Sequence, residues 1–191
     1  MSHDFTLALH QFLTYGDAST NFDLARQYHE QGQTAPALGF YLRAAALAGE
    51  KDDPTLSYNS LLLIAECIRS QSRRGWSEEN ALLQAVSLDP SRPEAYWLLS
   101  CFYEREQKWQ ESYTLAKMAE FVRKSGKKHN NLLVGVKFKP YSPLFQVAVA
   151  AYWVGRRDES RKVFKKILGM NMNADYERAV FENLNKIGTG V

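Results

Sequence analysis

The chain has 191 residues, of which 45% are hydrophobic, 24% charged and 13% aromatic, and its formal net charge is +3. This is an ordinary composition for a soluble protein, and a compact chain of this length buries enough apolar surface to fold without disulfides or metals. Its two cysteines, Cys67 and Cys101, are too few for a disulfide framework, so we expect free thiols.

Neither a signal peptide nor a membrane span is expected from the sequence. Residues 1–4 carry an acid and a histidine where a signal peptide has basic residues, and no apolar segment with a cleavage site follows. The longest apolar run, 147–154, is eight residues long, whereas a membrane-spanning helix needs about 20. We therefore expect a cytoplasmic protein with no membrane partner.

The charges are distributed unevenly along the chain. Residues 1–120 hold 10 Lys/Arg and 16 Asp/Glu, a net charge of −6, whereas residues 121–191 hold 14 Lys/Arg and 5 Asp/Glu, a net charge of +9. This asymmetry is compatible with solvated helix faces of differing charge. It is also compatible with self-association through the opposed charges of the two halves, or with an acidic partner at the basic end.

The first predicted element is an amphipathic helix over residues 2–15. Its apolar residues recur at the spacing i, i+3, i+4, i+7, i+8, and Gly16 ends it. The apolar residues are Phe5, Ala8, Leu9, Phe12 and Leu13. We expect this helix to cover the exposed side of the first repeat, since terminal repeats need a cover.

A small residue then recurs with similar apolar neighbours at Ala25, Ala65, Ser100 and Ala148, at intervals of 40, 35 and 48 residues. Such a period predicts one repeated structural unit with insertions. Two antiparallel helices approach closely only where one side chain is small, and a neighbouring aromatic residue fills the space beside it. The sequence therefore predicts four helix pairs, over residues 18–49, 54–90, 91–123 and 141–168.

Turn and cap residues set the expected boundaries within these pairs. Gly32 marks the turn of the first pair and Gly49 is expected to end its second helix. Asp53 followed by Pro54 predicts an N-cap and a first helical residue. The other expected signals are a turn at 75–77, a capping box formed by Ser91 and Glu94, and a turn at Gly155.

Two segments lie outside the repeats. Residues 124–140 form a basic insertion that lacks the apolar periodicity of the helix pairs. Residues 175–187 have the spacing of a final, capping helix.

The first pair has the most complete pattern, with Leu24, Ala25, Tyr28, Gly32, Ala37, Tyr41 and Ala44 in order. This spacing resembles the tetratricopeptide repeat, a helix–turn–helix unit of about 34 residues. The resemblance implies an all-α fold: an α–α superhelix of about four tetratricopeptide-like helix pairs, with an N-terminal helix and a C-terminal capping helix, forming a single domain over residues 1–191. The resemblance also implies a chain that holds other molecules and does not transform them.

A narrower resemblance involves the segment 88–95, Trp109, the segment 152–156, Arg178 and the pair 183–184. These residues are similar to the tetratricopeptide regions that accompany glycosyltransferases, including phage and large-virus versions. The resemblance implies a helper or scaffold for glycan assembly, with a glycosyltransferase as partner.

In tetratricopeptide arrays the first helix of each pair lines a concave groove, so the family resemblance implies a set of partner-binding residues. Aromatic side chains beside arginines are suitable anchors for a peptide. An alternative is that some of these residues pack against the basic insertion or the terminal helix. The set comprises Phe22, Arg26, His29, Leu62, Glu66, Arg69, Trp97, Cys101, Glu104, Phe145, Val149 and Tyr152.

A basic patch is predicted in the insertion and at the start of the second helix of the fourth pair. Its members are Lys127, Lys128, Lys137, Lys139, Arg156 and Arg157. Such a patch can bind phosphate groups, but no recognised nucleic-acid module accompanies it, so a solvated surface is favoured over a nucleic-acid partner.

No catalytic, metal or cofactor site is predicted. The four histidines have no metal-ligand spacing with each other or with cysteine, and no catalytic arrangement follows from the sequence. The leading hypothesis is a non-catalytic scaffold that binds another protein. The alternatives are an accessory subunit of a glycosyltransferase system and a structural assembly component of a phage or viral particle.

Overall fold

The computed structural model describes residues 3–51, 53–71, 75–125 and 138–188, and these residues form ten helices and no strand. The chain divides into two compact units. The described part of the N-terminal unit holds the five helices α1 His3–Tyr15, α2 Ala18–Glu30, α3 Thr34–Glu50, α4 Pro54–Ser70 and α5 Gly75–Leu88. The described part of the C-terminal unit holds the other five, α6 Pro93–Arg105, α7 Trp109–Lys124, α8 Ser142–Trp153, α9 Arg157–Leu168 and α10 Ala174–Gly188.

Local sequence signals place several of the helix boundaries. Asp53 caps α4, because its Oδ1 accepts a hydrogen bond from the backbone N–H of Leu56 at 2.9 Å, and Pro54 is the first helical residue, as predicted. Asp17 caps α2 in the same way through the N–H of Thr20. Gly32 and Gly155 stand in the turns after α2 and α8 with positive φ angles of 74° and 82°, a conformation that glycine adopts without a steric penalty.

Three predicted boundaries are wrong. Helix α3 continues through Gly49 to Glu50, because the backbone of Gly49 keeps an ordinary helical conformation. Residues 75–77 open α5 and do not form a turn before it. Helix α6 begins at Pro93, so Arg92 and not Ser91 is at the N-cap position, and the Glu94 carboxylate lies 3.5 Å from Arg92 Nε.

In the N-terminal unit, α1 covers the first helix pair with aromatic side chains. Phe5 meets Tyr28 of α2 edge-on at 5.1 Å between ring centroids, and Phe12 meets Phe40 of α3 at 5.3 Å. Phe5, Ala8 and Leu24 form a buried cluster there. The predicted covering role of the N-terminal helix is thus confirmed by its packing.

The recurring small residues are all buried. Ala25, Ser100 and Ala148 are fully inaccessible, and Ala65 is 2% exposed. In the C-terminal unit a serine hydroxyl of the second helix of each pair donates to the carbonyl of that small residue: Ser112 to Ser100 at 2.9 Å and Ser160 to Ala148 at 2.7 Å. The predicted close approach of paired helices is therefore present in these two pairs.

Helix α10 packs on the last pair of the C-terminal unit. Its Val180 and Ile187 lie in one buried cluster with Phe164 and Ile167 of α9 and Leu144 of α8. This confirms the predicted terminal helix, which spans one residue more at each end than the predicted range 175–187. Within the described residues, no helix is both long enough and apolar enough to span a membrane.

Candidate functional site

The predicted groove residues of the N-terminal unit divide into core and surface. Phe22 is 4% exposed and Leu62 is 1% exposed, so both lie in the core and are not available to a partner. They are buried because their positions on α2 and α4 face the neighbouring helices; the ring of Phe22 meets that of Tyr41 on α3 edge-on at 5.4 Å. This result corrects the expectation for these two residues.

The other four predicted residues of this unit reach the surface. Arg26, His29 and Glu66 are half-buried and Arg69 is exposed. The arginines are held by acids one helical turn away, Arg26 by Asp23 at 3.8 Å and Arg69 by Glu66 at 3.3 Å. Exposed pairs of this kind orient side chains but stabilise a fold by less than about 1 kcal/mol.

A histidine, a cysteine and a tyrosine meet beneath this surface, which the sequence alone did not indicate. Cys67 Sγ lies 4.0 Å from His29 Nδ1, and the rings of His29 and Tyr41 are 6.0 Å apart. Burial, and then the charge of Glu66, raises the pKa of the Cys67 thiol to about 12. The thiol is therefore protonated at neutral pH, which is the opposite of what a cysteine nucleophile requires.

Tyr41 is fully buried, and its hydroxyl has no hydrogen-bond partner among the described residues. Burial raises the pKa of this phenol well above its ordinary value. Cys67 and Tyr41 thus form a neutral layer under the charged surface of α2 and α4.

A groove of about 410 Å³ runs between α1 and α2 of the N-terminal unit. The lining combines acidic, basic, apolar and amide residues. It comprises Asp4, Leu7, Ala8, Gln11, Asp23, Arg26, Gln27 and Glu30. Sequence reasoning identified only Arg26, since the groove depends on how α1 lies on α2. The pattern Asp23, Arg26, Gln27, Glu30 along one face of α2 was the available signal.

All six predicted groove residues of the C-terminal unit are half-buried. The face between α6 and α8 is held together by Gln146, whose amide donates to the Glu104 carboxylate at 2.6 Å and whose oxygen lies 3.6 Å from the Cys101 sulfur. Cys101 and Glu104 of α6 are therefore joined to α8 through the single side chain of Gln146.

Two of these six residues pack against the predicted insertion or the terminal helix, as the alternative interpretation expects. The ring of Trp97 meets Phe138, at the end of the predicted insertion, at 5.6 Å between centroids. The ring of Phe145 meets Tyr176 of the terminal helix at 5.2 Å. These two residues are partly covered by their own chain, whereas Cys101, Glu104, Val149 and Tyr152 lie nearer the C-terminal ends of their helices.

The predicted basic patch is only partly described. Lys127, Lys128 and Lys137 lie outside the described residues, and Lys139 is exposed. The Arg156 guanidinium lies 4.9 Å from the centre of the Tyr113 ring, and that of Arg157 lies 5.5 Å from the centre of the Tyr152 ring. The two arginines thus lie against aromatic side chains of their own unit.

Arg156 takes part in a charged network that links α7 and α9. Tyr113 donates to Glu159 at 2.8 Å, Lys117 donates to the same carboxylate at 3.0 Å, and Arg156 lies 3.8 Å from it. Burial acts to raise the pKa of Glu159, but the hydrogen bonds from Lys117 and Tyr113 outweigh it and lower that pKa. The network fixes α9 on α7 and makes Arg156 a structural residue as well as a surface cation.

A stacked tryptophan pair was missed by sequence reasoning. Trp109, the first residue of α7, and Trp153, the last residue of α8, lie 4.8 Å apart with an angle of 17° between their rings. Trp153 is 57% exposed. Both residues follow or precede a turn between helices, and only the pairing of α7 with α8 brings them together.

Among the residues that the structure describes, no group of three or more His, Cys, Asp or Glu side chains could hold a metal ion. The predicted partner-binding role of the surface residues is not tested by their positions, and it stays a prediction.

The fold is that of tetratricopeptide-like helical repeats, and solved structures show the likeness. The chain is similar to MamA with a TM-score of 0.65 and 16% identity over 86% of this chain and 84% of that one. It is similar to a thermophilic TPR protein of Thermus thermophilus with a TM-score of 0.60 and 16% identity, over 96% of this chain and 88% of that one. It is also similar to TPR-like repeats from Podosopora anserina, with a TM-score of 0.63, 15% identity and coverage of 98% and 87%.

No protein-family model matches the sequence, and no curated protein matches it. At these identities the structural likeness establishes the repeat fold alone.

Proposed function

We propose that the chain is a non-catalytic protein-interaction scaffold that binds partner polypeptides along the first helices of its helix pairs. The observation that carries the proposal is the surface of α6 and α8, where Cys101, Glu104, Val149 and Tyr152 are half-buried beside the fully buried Ser100 and Ala148. Half-buried aromatic and charged side chains on rigid elements are the groups from which interaction hot spots are built.

Two further observations support this proposal. The fold resembles tetratricopeptide-like repeat proteins, whose stacked helix pairs form extended surfaces. In addition, the cysteine–histidine contact, the arrangement nearest to a catalytic pair that we find in the described N-terminal unit, contains a buried thiol with a raised pKa. The proposal therefore assigns the chain to binding and not to catalysis.

Photo-crosslinking tests which surface binds. The cross-linking amino acid p-benzoylphenylalanine replaces Tyr152 on α8 in one variant and Phe121 on α7 in the other. Phe121 is the control position. Because this side chain is 70% exposed, non-specific contacts would produce strong labelling from it. We expect Tyr152 variants to label a discrete partner in extracts of the native host, and excess unmodified chain to abolish the labelling.

Equal labelling from both positions, or labelling that excess unmodified chain does not reduce, would contradict the proposal. Loss of folding is checked by circular dichroism of each variant before irradiation, since Tyr152 also contacts the Trp153 ring at 5.4 Å.

The narrower proposal is that the partner is a glycosyltransferase in the cytoplasm. It rests on the resemblance of the segment 88–95, of Trp109 and of the segment 152–156 to glycosyltransferase-associated repeats. Its test is affinity purification of the tagged full chain, with the labelled partner identified by mass spectrometry. A partner of another class would overturn this narrower proposal and leave the scaffold proposal standing.

A further inference from the structure

We infer that the C-terminal unit binds single-stranded nucleic acid, with a base on Trp153 and phosphates along the outer face of α9. This inference goes beyond the proposed scaffold function, which concerns partner polypeptides. The site combines an aromatic ring on which an unpaired base can stack with cations that can contact the phosphates. All of its residues belong to the C-terminal unit.

The stacking surface is the indole of Trp153. Trp109 covers one face of this indole, since the two rings are 4.8 Å apart with an angle of 17° between them. The ring of Tyr152 meets that of Trp153 edge-on at 5.4 Å. Trp153 nevertheless remains 57% exposed, so indole surface is open to a ligand. Because its neighbours hold the ring in place, Trp153 loses little conformational freedom when a base stacks on it.

Cations begin beside this ring and continue along α9. The Arg157 guanidinium lies 5.5 Å from the centre of the Tyr152 ring, which itself contacts Trp153. Residues 156–166 hold six Lys/Arg and two Asp/Glu, a net charge of +4. Three lysines of this segment lie on the exposed side of α9, opposite its buried residues. They are Lys162, Lys165 and Lys166.

The two acids of this segment are engaged elsewhere. Glu159 accepts a hydrogen bond from the Lys117 ammonium at 3.0 Å, and Asp158 lies 3.5 Å from Arg161. The three lysines make no ion pair or hydrogen bond with any residue that the structure describes. Their charges are therefore available to phosphates, and the release of counterions from the nucleic acid would favour binding.

The ring and the cations together favour a single strand over other polyanions. An exposed indole accepts any unpaired base, whereas duplex bases are already stacked on one another. An acidic peptide supplies carboxylates but no base to stack. Lys162 and Lys166 are about one helical turn apart, so they can contact neighbouring phosphates of one strand. The sequence alone favours a solvated surface here, because the Trp109–Trp153 stack exists only where α7 packs on α8.

The test is fluorescence anisotropy of the purified full chain with labelled twelve-nucleotide oligo(dT) and oligo(U), at several salt concentrations. The two oligonucleotides distinguish DNA from RNA as the source of the strand. We expect Trp153→Ala to lower the affinity about tenfold and to leave its salt dependence unchanged, because stacking is not electrostatic. We expect Lys162→Gln to reduce the slope of log affinity against log salt by about 0.7, the value for one phosphate contact on a single strand.

Phe121→Ala and Lys51→Gln are the matched controls. Phe121 is an aromatic residue that is 70% exposed, and it lies near the C-terminal end of α7, whereas Trp109 is the first residue of that helix. Lys51 is an exposed lysine of the N-terminal unit. We expect both variants to keep the wild-type affinity and salt slope. Circular dichroism of each variant checks that it is folded.

The inference is overturned if neither oligonucleotide binds at low salt, or if a substitution at the site has no larger effect than its control. Equal affinity for a DNA duplex would exclude base stacking, and equal affinity for an oligoglutamate of the same charge would indicate an acidic polypeptide instead. The scaffold proposal is tested separately, by labelling of a protein from Tyr152. Persistent labelling of that protein, without binding of either oligonucleotide, would reject the nucleic-acid site and retain the scaffold.

Discussion

The helix pairs α2/α3 and α8/α9 close around the same kind of residue in two different ways. In α8/α9 the Ser160 hydroxyl donates to the Ala148 carbonyl twelve residues earlier, at 2.7 Å. In α2/α3 the residue twelve positions after Ala25 is Ala37, and both are fully inaccessible. At this position α8/α9 thus has a hydrogen bond, whereas α2/α3 has two buried methyl groups. Small size is therefore the common requirement of both helix pairs, and the hydroxyl is an additional feature of α8/α9.

Enlarging the small residue should have the largest effect in both units. Ala25→Leu and Ala148→Leu each add side-chain volume at a position with no exposed surface, so each should lower the free energy of unfolding by about 1–3 kcal/mol. Calorimetric or urea unfolding of the full chain measures the loss. Unchanged melting in either variant would show that its helix pair does not close at this residue.

Alkaline pH should distinguish the units through their cysteines, since Cys67 of the N-terminal unit is buried and Cys101 of the C-terminal unit is half-buried. The folded state raises the pKa of Cys67 to about 12. Stability from this group is therefore complete below the ordinary thiol pKa of about 8.5 and is lost as pH rises toward 12.

Between pH 8 and pH 10.5, we expect the free energy of unfolding to fall by roughly 2 kcal/mol more in the wild-type chain than in Cys67→Ala. Urea unfolding at each pH measures this difference. Cys101→Ala is the matched control, because it removes the other thiol and leaves Cys67 in place. A Cys67→Ala chain that destabilises with pH as steeply as wild type would show that this thiol does not remain protonated in the folded state.

Removal of the hydroxyl from the C-terminal pair should have a smaller effect. Ser160→Ala deletes the hydrogen bond to the Ala148 carbonyl, and we expect the free energy of unfolding to fall by about 1 kcal/mol. The fall is small because the helix carbonyl keeps its own backbone hydrogen bond. Thermal unfolding measures it. A loss as large as that of Ala148→Leu would mean that the hydroxyl, and not small size, closes the pair.

The reciprocal substitution should have the smallest effect. Ala37→Ser places a hydroxyl where α8/α9 has one, and a donated bond to the Ala25 carbonyl would offset the cost of burying the hydroxyl, for a net change within about 0.5 kcal/mol. The melting temperature relative to wild type measures it. Destabilisation above about 1 kcal/mol would indicate that α2 and α3 pack too closely at Ala37 to accept an oxygen.

Much of the secondary structure could be predicted, because its signals are local. The periodic apolar residues of 5–13 and 175–187 lie in helices, Asp53 and Pro54 start α4, and Gly32 and Gly155 occupy turns. The predicted helix boundaries are wrong where the same residue type occurs both within helices and at their ends. Gly49 is typical of a helix stop, yet glycine is also tolerated within a helix at a cost of about 1 kcal/mol.

The candidate sites could be predicted less well, since they depend on which helices meet. The resemblance to the repeat places Phe22 and Leu62 in a groove, but neighbouring helices bury them. The stacking of Trp109 on Trp153 joins residues far apart in the sequence. Hydrophobic periodicity gives the buried side of one helix and carries no information on the partner that covers it.

The amino-acid sequence is sufficient to predict paired helices that close at small residues, because helix period, caps and turns act over a few neighbouring residues. The contacts of His29 with Cys67 and Tyr41 and the groove between α1 and α2 exist only in the packed fold. Those features arise from side chains on different helices, and their burial and charge are properties of the packed unit and not of any single segment.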